Sequence, residues 1–366
     1  MRILILLFIV SCVLGYISWH MWIMIPLPKP YRAGLIFLAI ALFFLMPVII
    51  FNEEHIPLSI CGVLNKVTTS WFFIMLYLFM VFILTDVIRF MIPSLRPLFI
   101  SSWKATALTV ILISAIFIYG NIRYHHKVRV PLNIKISKPL PHPYKIVFIS
   151  DLHLGYTIGA GELSRWVDMI NKENPDIILI GGDIVDFSTR PLSGDTFASQ
   201  LRRFNAPLGV YACLGNHDHI AHADKSIDFF KRSHIRPLID ESVLADSAFY
   251  IIGRDDMSNR RRQPLPHLIG NKDANTPVIV LDHQPYHLDR AQHAGIDLQL
   301  SGHTHRGQVF PINLITDYLY QCSHGYIKMG NTHVCVSSGI GIWGGKFRIG
   351  SQSEYVVITL TGTPAT

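Results

Sequence analysis

Four apolar runs, roughly residues 3–25, 33–51, 71–88 and 106–119, fill the first third of the chain. Several approach the ~20 residues that a helix needs to cross a bilayer, and the fourth does so if Trp103–Ala105 and Gly120 extend it. A single run of this kind also fits a buried core helix or a signal sequence, and Met1–Cys12 ends in a lipobox-like IVSC. Only Met1 and Arg2 precede the first run, however, and further runs follow at once, so a cleaved signal is not expected. The 366 residues are 50% hydrophobic with mean hydropathy +0.34, too apolar for one soluble domain and suited to a membrane part joined to a globular part. Residues 1–122 are therefore expected to form an all-α transmembrane region of about four helices, with Asp86 and Arg89 spaced to pair on one of them.

The pattern changes at 123–142. The cluster Arg123, His125, His126, Lys127 and Arg129 is followed by prolines at 131, 139 and 141, and Pro143 lies just beyond. This reads as a linker, an extended connector or edge strand. The net charge is +7, but no basic block with interleaved aromatics appears, so a membrane-surface role for the cluster is preferred and no nucleic-acid partner is expected. From 143 to 366 the apolar runs are short. Those at 145–150, 176–182, 209–215, 249–253, 277–283 and 297–302 read as strands, alternating with helical patterns at 160–172 and 223–233, and the whole predicts an α/β domain. The segment 254–267 reads as a polar surface loop. Five cysteines show no CxxC spacing; Cys322 and Cys335 are the pair that an oxidising compartment would allow to join.

Polar residues follow these strands directly. DLH supplies Asp151 and His153, GDIVD supplies Asp183 and Asp186, GNHD supplies Asn216, His217 and Asp218, and LDHQ and GHTH add His283, His303 and His305. Taken singly, each has a plain reading as a helix cap or turn residue. Together they are carboxylates, imidazoles and one amide at the strand ends where ligand sites form in α/β sheets. Side chains two apart at a strand end can point to one side, so Asp151/His153 and His303/His305 can each supply two ligands. Nitrogen and oxygen donors without a thiolate suit Mn, Fe or Zn rather than Mg or Ca.

In its ordered motifs the chain resembles the calcineurin-like metallophosphoesterase family, more closely the membrane-associated bacterial branch, which also shares LSGHTHRGQ and the tail FRIGSQSEYVVITL. The resemblance covers roughly residues 143–361. It implies a four-layer α/β/β/α sandwich and a binuclear centre of two divalent ions bridged by Asp183. Asp151, His153 and His305 would complete one shell, and Asn216, His283 and His303 the other. It implies His217 as the group that protonates the leaving oxygen, Asp218 as the residue orienting it, and Asp186 as a supporting carboxylate. Two positions are open. Arg306 stands where close relatives carry glycine, and is either a phosphate contact or a solvent-exposed side chain; Arg348 is either a phosphate contact or an ion-pair partner of Glu354.

The implied reaction is metal-dependent hydrolysis of a phosphate ester or pyrophosphate on a phosphorylated small molecule or lipid, with membrane lipid as a further partner. UDP-diacylglucosamine, which members of the family cleave, is the leading specific substrate. The alternative is a transporter or sensor whose phosphoesterase-like domain is accessory or non-catalytic. Four helices put the N-terminus and the domain on one side. The opposite loops carry Lys29, Arg32, Arg89, Arg96 and Lys104 against Arg2 and Lys66, which leans towards an extracytoplasmic domain on a bacterial cell membrane. Counting Arg123, Lys127 and Arg129 erases that margin.

Overall fold

In a computed structural model the described residues, 2–364, form two compact units that divide between Gly120 and Asn121. Met1, Ala365 and Thr366, at the ends of the expected segments, lie outside the described residues. The first unit carries α1 (Arg2–Met24), α2 (Lys29–Asn52), α3 (Leu58–Met91) and most of α4 (Trp103–His125). All four are long and apolar enough to cross a membrane. Helix α3 begins thirteen residues before the apolar run at 71, through a stretch containing Asn65, Lys66, Thr68 and Thr69. Within that stretch Thr68 and Thr69 satisfy their hydroxyls on the carbonyls of Leu64 (2.9 Å) and Asn65 (2.6 Å), so the helix accommodates them without a free polar group. Arg89 pairs with Asp86 at 3.2 Å as the spacing predicts. The same carboxylate also accepts from Tyr16 (2.7 Å) and meets His20 Nε2 (2.9 Å), both on α1.

The second unit holds twelve strands among the described residues. They are β1 (Lys127–Leu140), β2 (Tyr144–Ile149), β3 (Ile177–Ile180), β4 (Val210–Ala212), β5 (Arg236–Pro237), β6 (Glu241–Ala245), β7 (Phe249–Gly253), β8 (Val278–Leu281), β9 (Leu298–Ser301), β10 (Gly325–Met329), β11 (Thr332–Val336) and β12 (Ser353–Pro364). One sheet runs β1-β12-β2-β3-β4-β5 and the other β10-β11-β9-β8-β7-β6. Strands β2 to β5 are parallel, as are β7-β8-β9-β11, and such strands need cover on both faces.

Side-chain alternation supplies that cover. Ile146, Phe148, Leu179, Ile279 and Leu300 interlock between the sheets. Val147, Ile149, Ile178 and Ile180 face the other way, onto α5 (Ala160–Asn171), α6 (Asp195–Leu201) and, beyond the short α7 (Asn216–Ile220), α8 (Ala223–Arg232). Ile252, Val278 and Val280 pack outward on α9 (Leu265–Ile269) and α10 (Leu288–His293). The layers are α/β/β/α. Each fully buried aliphatic or aromatic side chain contributes about 1.5–3 kcal/mol, so this slab, rather than any one helix, fixes the strand ends from which the polar residues emerge.

Of the two readings of the proline-containing stretch, connector or edge strand, residues 127–140 take the second: they form β1, the edge strand, in parallel register with β12 from Lys127↔Ser353 to Ile134↔Leu360. An edge position tolerates Pro131 and Pro139, and Ile134 and Ile136 anchor the strand in the inter-sheet core. The segment 254–267 is a surface loop only in its middle, 257–264, before α9 begins at Leu265. Arg254, Asp255 and Asp256 are buried, because Arg254 and Arg262 close on Asp282 at 2.6 and 3.0 Å while Asp256 accepts from Gln284 at 2.8 Å. Cys322 and Cys335 remain free thiols.

Candidate metal centre

The loops after β2, β3, β4, β8 and β9 converge at one end of the two sheets. They do so through backbone left-handed at Asp151, His153, Asp183, His303 and His305, with φ between 45° and 72°. Each such non-glycine residue costs on the order of 1 kcal/mol, and their concentration at one place marks a functional site. The loops are laced together: His303 N–H donates to Asp151 Oδ1 at 3.0 Å, His217 N–H to Asp183 Oδ1 at 2.8 Å, and His153 N–H to the Asp183 carbonyl at 3.0 Å. Gly215 and Gly302 permit this closeness, since a Cβ at either would collide with the Asp183 or the Asp151 carboxylate.

Donor atoms gather in three overlapping groups: Asp151, His153 and His305; His153, Asp183 and His217; Asp183, His283 and His303. All except His217 and His303, which are partly buried, are fully or nearly fully withdrawn from solvent. Asp183 Oδ2 lies 3.1 Å from His283 Nε2 and 3.7 Å from His153 Nε2, and His153 and His305 face each other through Nε2 atoms 3.1 Å apart. The second nitrogens decide what this means. His283 Nδ1 donates to the Gly181 carbonyl at 2.7 Å, and His153 Nδ1 lies 3.2 Å from Asp186 Oδ1, so both Nε2 atoms turn lone pairs inward. Asp183 Oδ2, His283 Nε2 and Asn216 Oδ1 are buried without hydrogen-bond partners. Lone pairs facing one another in a buried space require a cation between them, which the donor set fits.

The electrostatics agree. Burial and its charged neighbours drop His303 to about 4 and hold His305 well below the ordinary histidine range, so both are neutral ligands at physiological pH. Burial disfavours the charged form of His283, but the carboxylates of Asp183 and Asp151 outweigh it and raise its pKa well above normal. A proton there does for the Asp183–His283 pair what a metal ion would do. Burial likewise opposes charging of His217, yet Asp183 and Asp186 bring it to about 9.

Three roles differ from expectation. Asp218 does not orient His217: its fully buried carboxylate accepts from the N–H groups of Val185 and Gly215, both at 2.8 Å, and pins the two ligand loops together. The carboxylate beside His217 is Asp186, whose Oδ1 lies 3.3 Å from Nδ1, an ion-pair approach without hydrogen-bond alignment. Arg348 neither pairs with Glu354 nor faces the ligand space. It is fully buried and donates to the carbonyls of His305 (2.8 Å), Ser338 (2.6 Å) and Gly341 (2.7 Å), clamping the loop that carries His305. Glu354 meets His324 instead, at 2.9 Å. Arg306 is half-buried with φ 47° and ψ 45°, a conformation glycine adopts without cost and arginine does not. The sequence reading missed the Arg254–Asp282–Arg262 cluster beside His283, although GRDD follows a strand as the ligand motifs do.

Fold and donor set define a metal-dependent phosphoesterase site. The model of the calcineurin-like phosphoesterase family matches residues 144–307. The chain is 32% identical over 263 residues to an uncharacterized metallophosphoesterase of Campylobacter jejuni, covering 70% of this chain and 69% of that one. It is 31% identical over 282 residues to a transmembrane protein with metallophosphoesterase domain of Danio rerio, where it spans 71% of this chain but 63% of the relative, under two thirds of that protein's length. An uncharacterized metallophosphoesterase of Aquifex aeolicus is 31% identical over 60% of this chain and 85% of its own. The chain belongs to the calcineurin-like metallophosphoesterase family, and is a membrane protein with a metal-dependent hydrolase domain.

Because protons and divalent metal compete for the same imidazole and carboxylate atoms, metal binding will release protons, and affinity will weaken as pH falls. Calorimetry of Mn binding in buffers of different ionisation enthalpy measures this; a heat independent of buffer would contradict it.

Proposed function

We propose that this chain is a membrane-anchored phosphoesterase that holds two divalent ions and hydrolyses a phosphate ester or pyrophosphate on a lipid-linked substrate such as UDP-diacylglucosamine. The observation that carries the reading is the place of Asp183 Oδ2, within reach of both His153 and His283 and so common to two ligand groups. Asp151, His153 and His305 would hold one ion with Asp183, and Asn216, His283 and His303 the other. Mn, Fe or Zn suit the mixed nitrogen and oxygen donors. When bound, such a pair supplies Lewis acidity at the phosphoryl oxygens and an activated water in line with phosphorus.

The chain's own groups complete the chemistry. His217 can pass a proton to the leaving oxygen, and the Asp186 carboxylate 3.3 Å from its Nδ1 favours the charged ring. Asp218 and Arg348 keep the loops in place without touching the reacting atoms. The amphiphilic substrate is supported by the four apolar helices, which keep the hydrolase at a bilayer.

Purified full-length protein with Mn is to be assayed on aryl phosphomonoesters, aryl phosphodiesters and UDP-diacylglucosamine. His217→Ala will lower kcat by ~10²–10⁴ with metal content unchanged, as expected for loss of a general acid. Asp183→Asn will lose both metal and activity. Full activity in Asp183→Asn would sink the bridging role, and no turnover of UDP-diacylglucosamine would remove that substrate. The basic residues Lys29, Arg32, Arg89, Arg96 and Lys104, at the helix ends and loop on the side opposite the N-terminus, support an extracytoplasmic domain, whereas a nucleotide lipid would be met in the cytoplasm. An alkaline phosphatase fusion after Thr366 is expected to be active. A fluorescent green fluorescent protein fusion would overturn the loop-charge reading and favour the nucleotide lipid.

A further inference from the structure

Directly after the GHTHRG loop lies α11 (Ile312–Leu319), a helix that leaves a broad apolar face uncovered. None of its residues is buried. Leu314, Ile315, Tyr318 and Leu319, spaced so that they share one face, are 54–89% exposed, and Phe310 just before the helix is 41% exposed. Ile312, Asn313 and Thr316 are the residues turned partly inward, with Thr316 Oγ1 bonded to the Asn313 carbonyl, while the exposed Asp317 accepts from Ser323. An amphipathic helix on a soluble domain turns its apolar face to the core, and a contiguous exposed apolar face marks an interaction surface.

The helix is also fixed to the metal centre. Gly307 abuts the Asn313 backbone so closely that a Cβ would clash with it. Tyr320, which follows the helix, sets its ring 6.3 Å from that of His303 and bonds Tyr286 through the hydroxyls at 2.8 Å.

We propose that Phe310 and α11 insert into the surface of the lipid bilayer and so present the metal centre to a phosphate at the headgroup level. The chain supplies the occupant: four helices suited to span a membrane keep a bilayer in reach of this domain at all times. A second copy fits less well. Eight residues make a helix about 12 Å long and roughly 10 Å wide, whose footprint falls far short of the ~800 Å² per partner of a stable interface. Leucine and isoleucine supply the buried area and tyrosine the amphipathic rim common to interfacial helices. The inference concerns where the domain sits, not which phosphate ester is cut, so it stands apart from the substrate assays.

The test is spin-label depth in the full chain, reconstituted in phosphatidylethanolamine–phosphatidylglycerol vesicles. Cys12→Ser removes the single exposed thiol, the other four being buried. A label at Tyr318→Cys is then compared with Ile111→Cys, exposed on the apolar helix α4, and with Lys225→Cys on the exposed side of α8. We expect position 318 to be accessible to oxygen and shielded from a water-soluble nickel chelate, as at 111. Accessibility to nickel equal to that at 225 would overturn the proposal, as would a label immobilised and shielded from both probes, which would report a protein contact. The native metal content of the labelled protein shows that the domain is folded in each case.

Discussion

Two acceptors face each other across 3.1 Å at the heart of the domain: the Oδ2 of Asp183 and the Nε2 of His283. With His283 Nδ1 committed to the Gly181 carbonyl, nothing in the chain can place a hydrogen bond between them except a captured proton. The arrangement is unfavourable by itself and has to be imposed. The double-sheet core imposes it by holding the ends of β3 and β8 at fixed positions. Left-handed residues bend the chain sharply as it leaves each strand, and Gly215 and Gly302 remove the atoms that would keep the loops apart. Asp218 and Arg348 act in the same cause from outside the donor set, one tying two loops by their N–H groups and the other gathering carbonyls. A pocket of lone pairs held this firmly has its geometry settled before a cation arrives.

The last turn of α4 belongs to the domain rather than to the helical unit. Tyr124 is fully buried there and donates to Glu162 at 2.5 Å, and Glu162 also receives Lys346 at 2.5 Å. Lys346 sits two residues before Arg348, and its carbonyl accepts from Asn121 at 3.0 Å. The segment that leads out of the apolar helices is thus bonded to the same loop whose carbonyls Arg348 clamps beneath His305.

Much of the site was legible in the sequence because its residues sit immediately after apolar runs that can only be buried strands. The runs at 249–253 and 277–283 lie on β7 and β8, and the helical patterns at 160–172 and 223–233 on α5 and α8. Strand β1 alternates apolar and polar residues from Val130 to Ile136, as a half-buried strand does, but Pro131 and Pro139 suit a connector equally, so the sequence leaves both readings open. What escaped lacks any such signal. The hairpin of β10 and β11 turns on Gly330 and Asn331 between short, mixed-polarity strands. Assigning His217 to Asp186 rather than to Asp218 needed the fold of the GNHD turn, where the nearer carboxylate in sequence points back to the Val185 and Gly215 amides. Likewise the role of Arg348 depends on carbonyls 7 to 43 residues away, and α11 shows its uncovered apolar face only when the inward side of the helix is known.

The central claim is that Asp183 joins two metal ions. Metal counting together with electron paramagnetic resonance of the Mn-loaded, full-length protein tests it most directly. The account predicts two ions per chain with spins coupled through their shared ligand, and in Asp183→Asn the loss of that coupling. A single uncoupled ion in the native protein, or a coupled pair that survives Asp183→Asn, would contradict it.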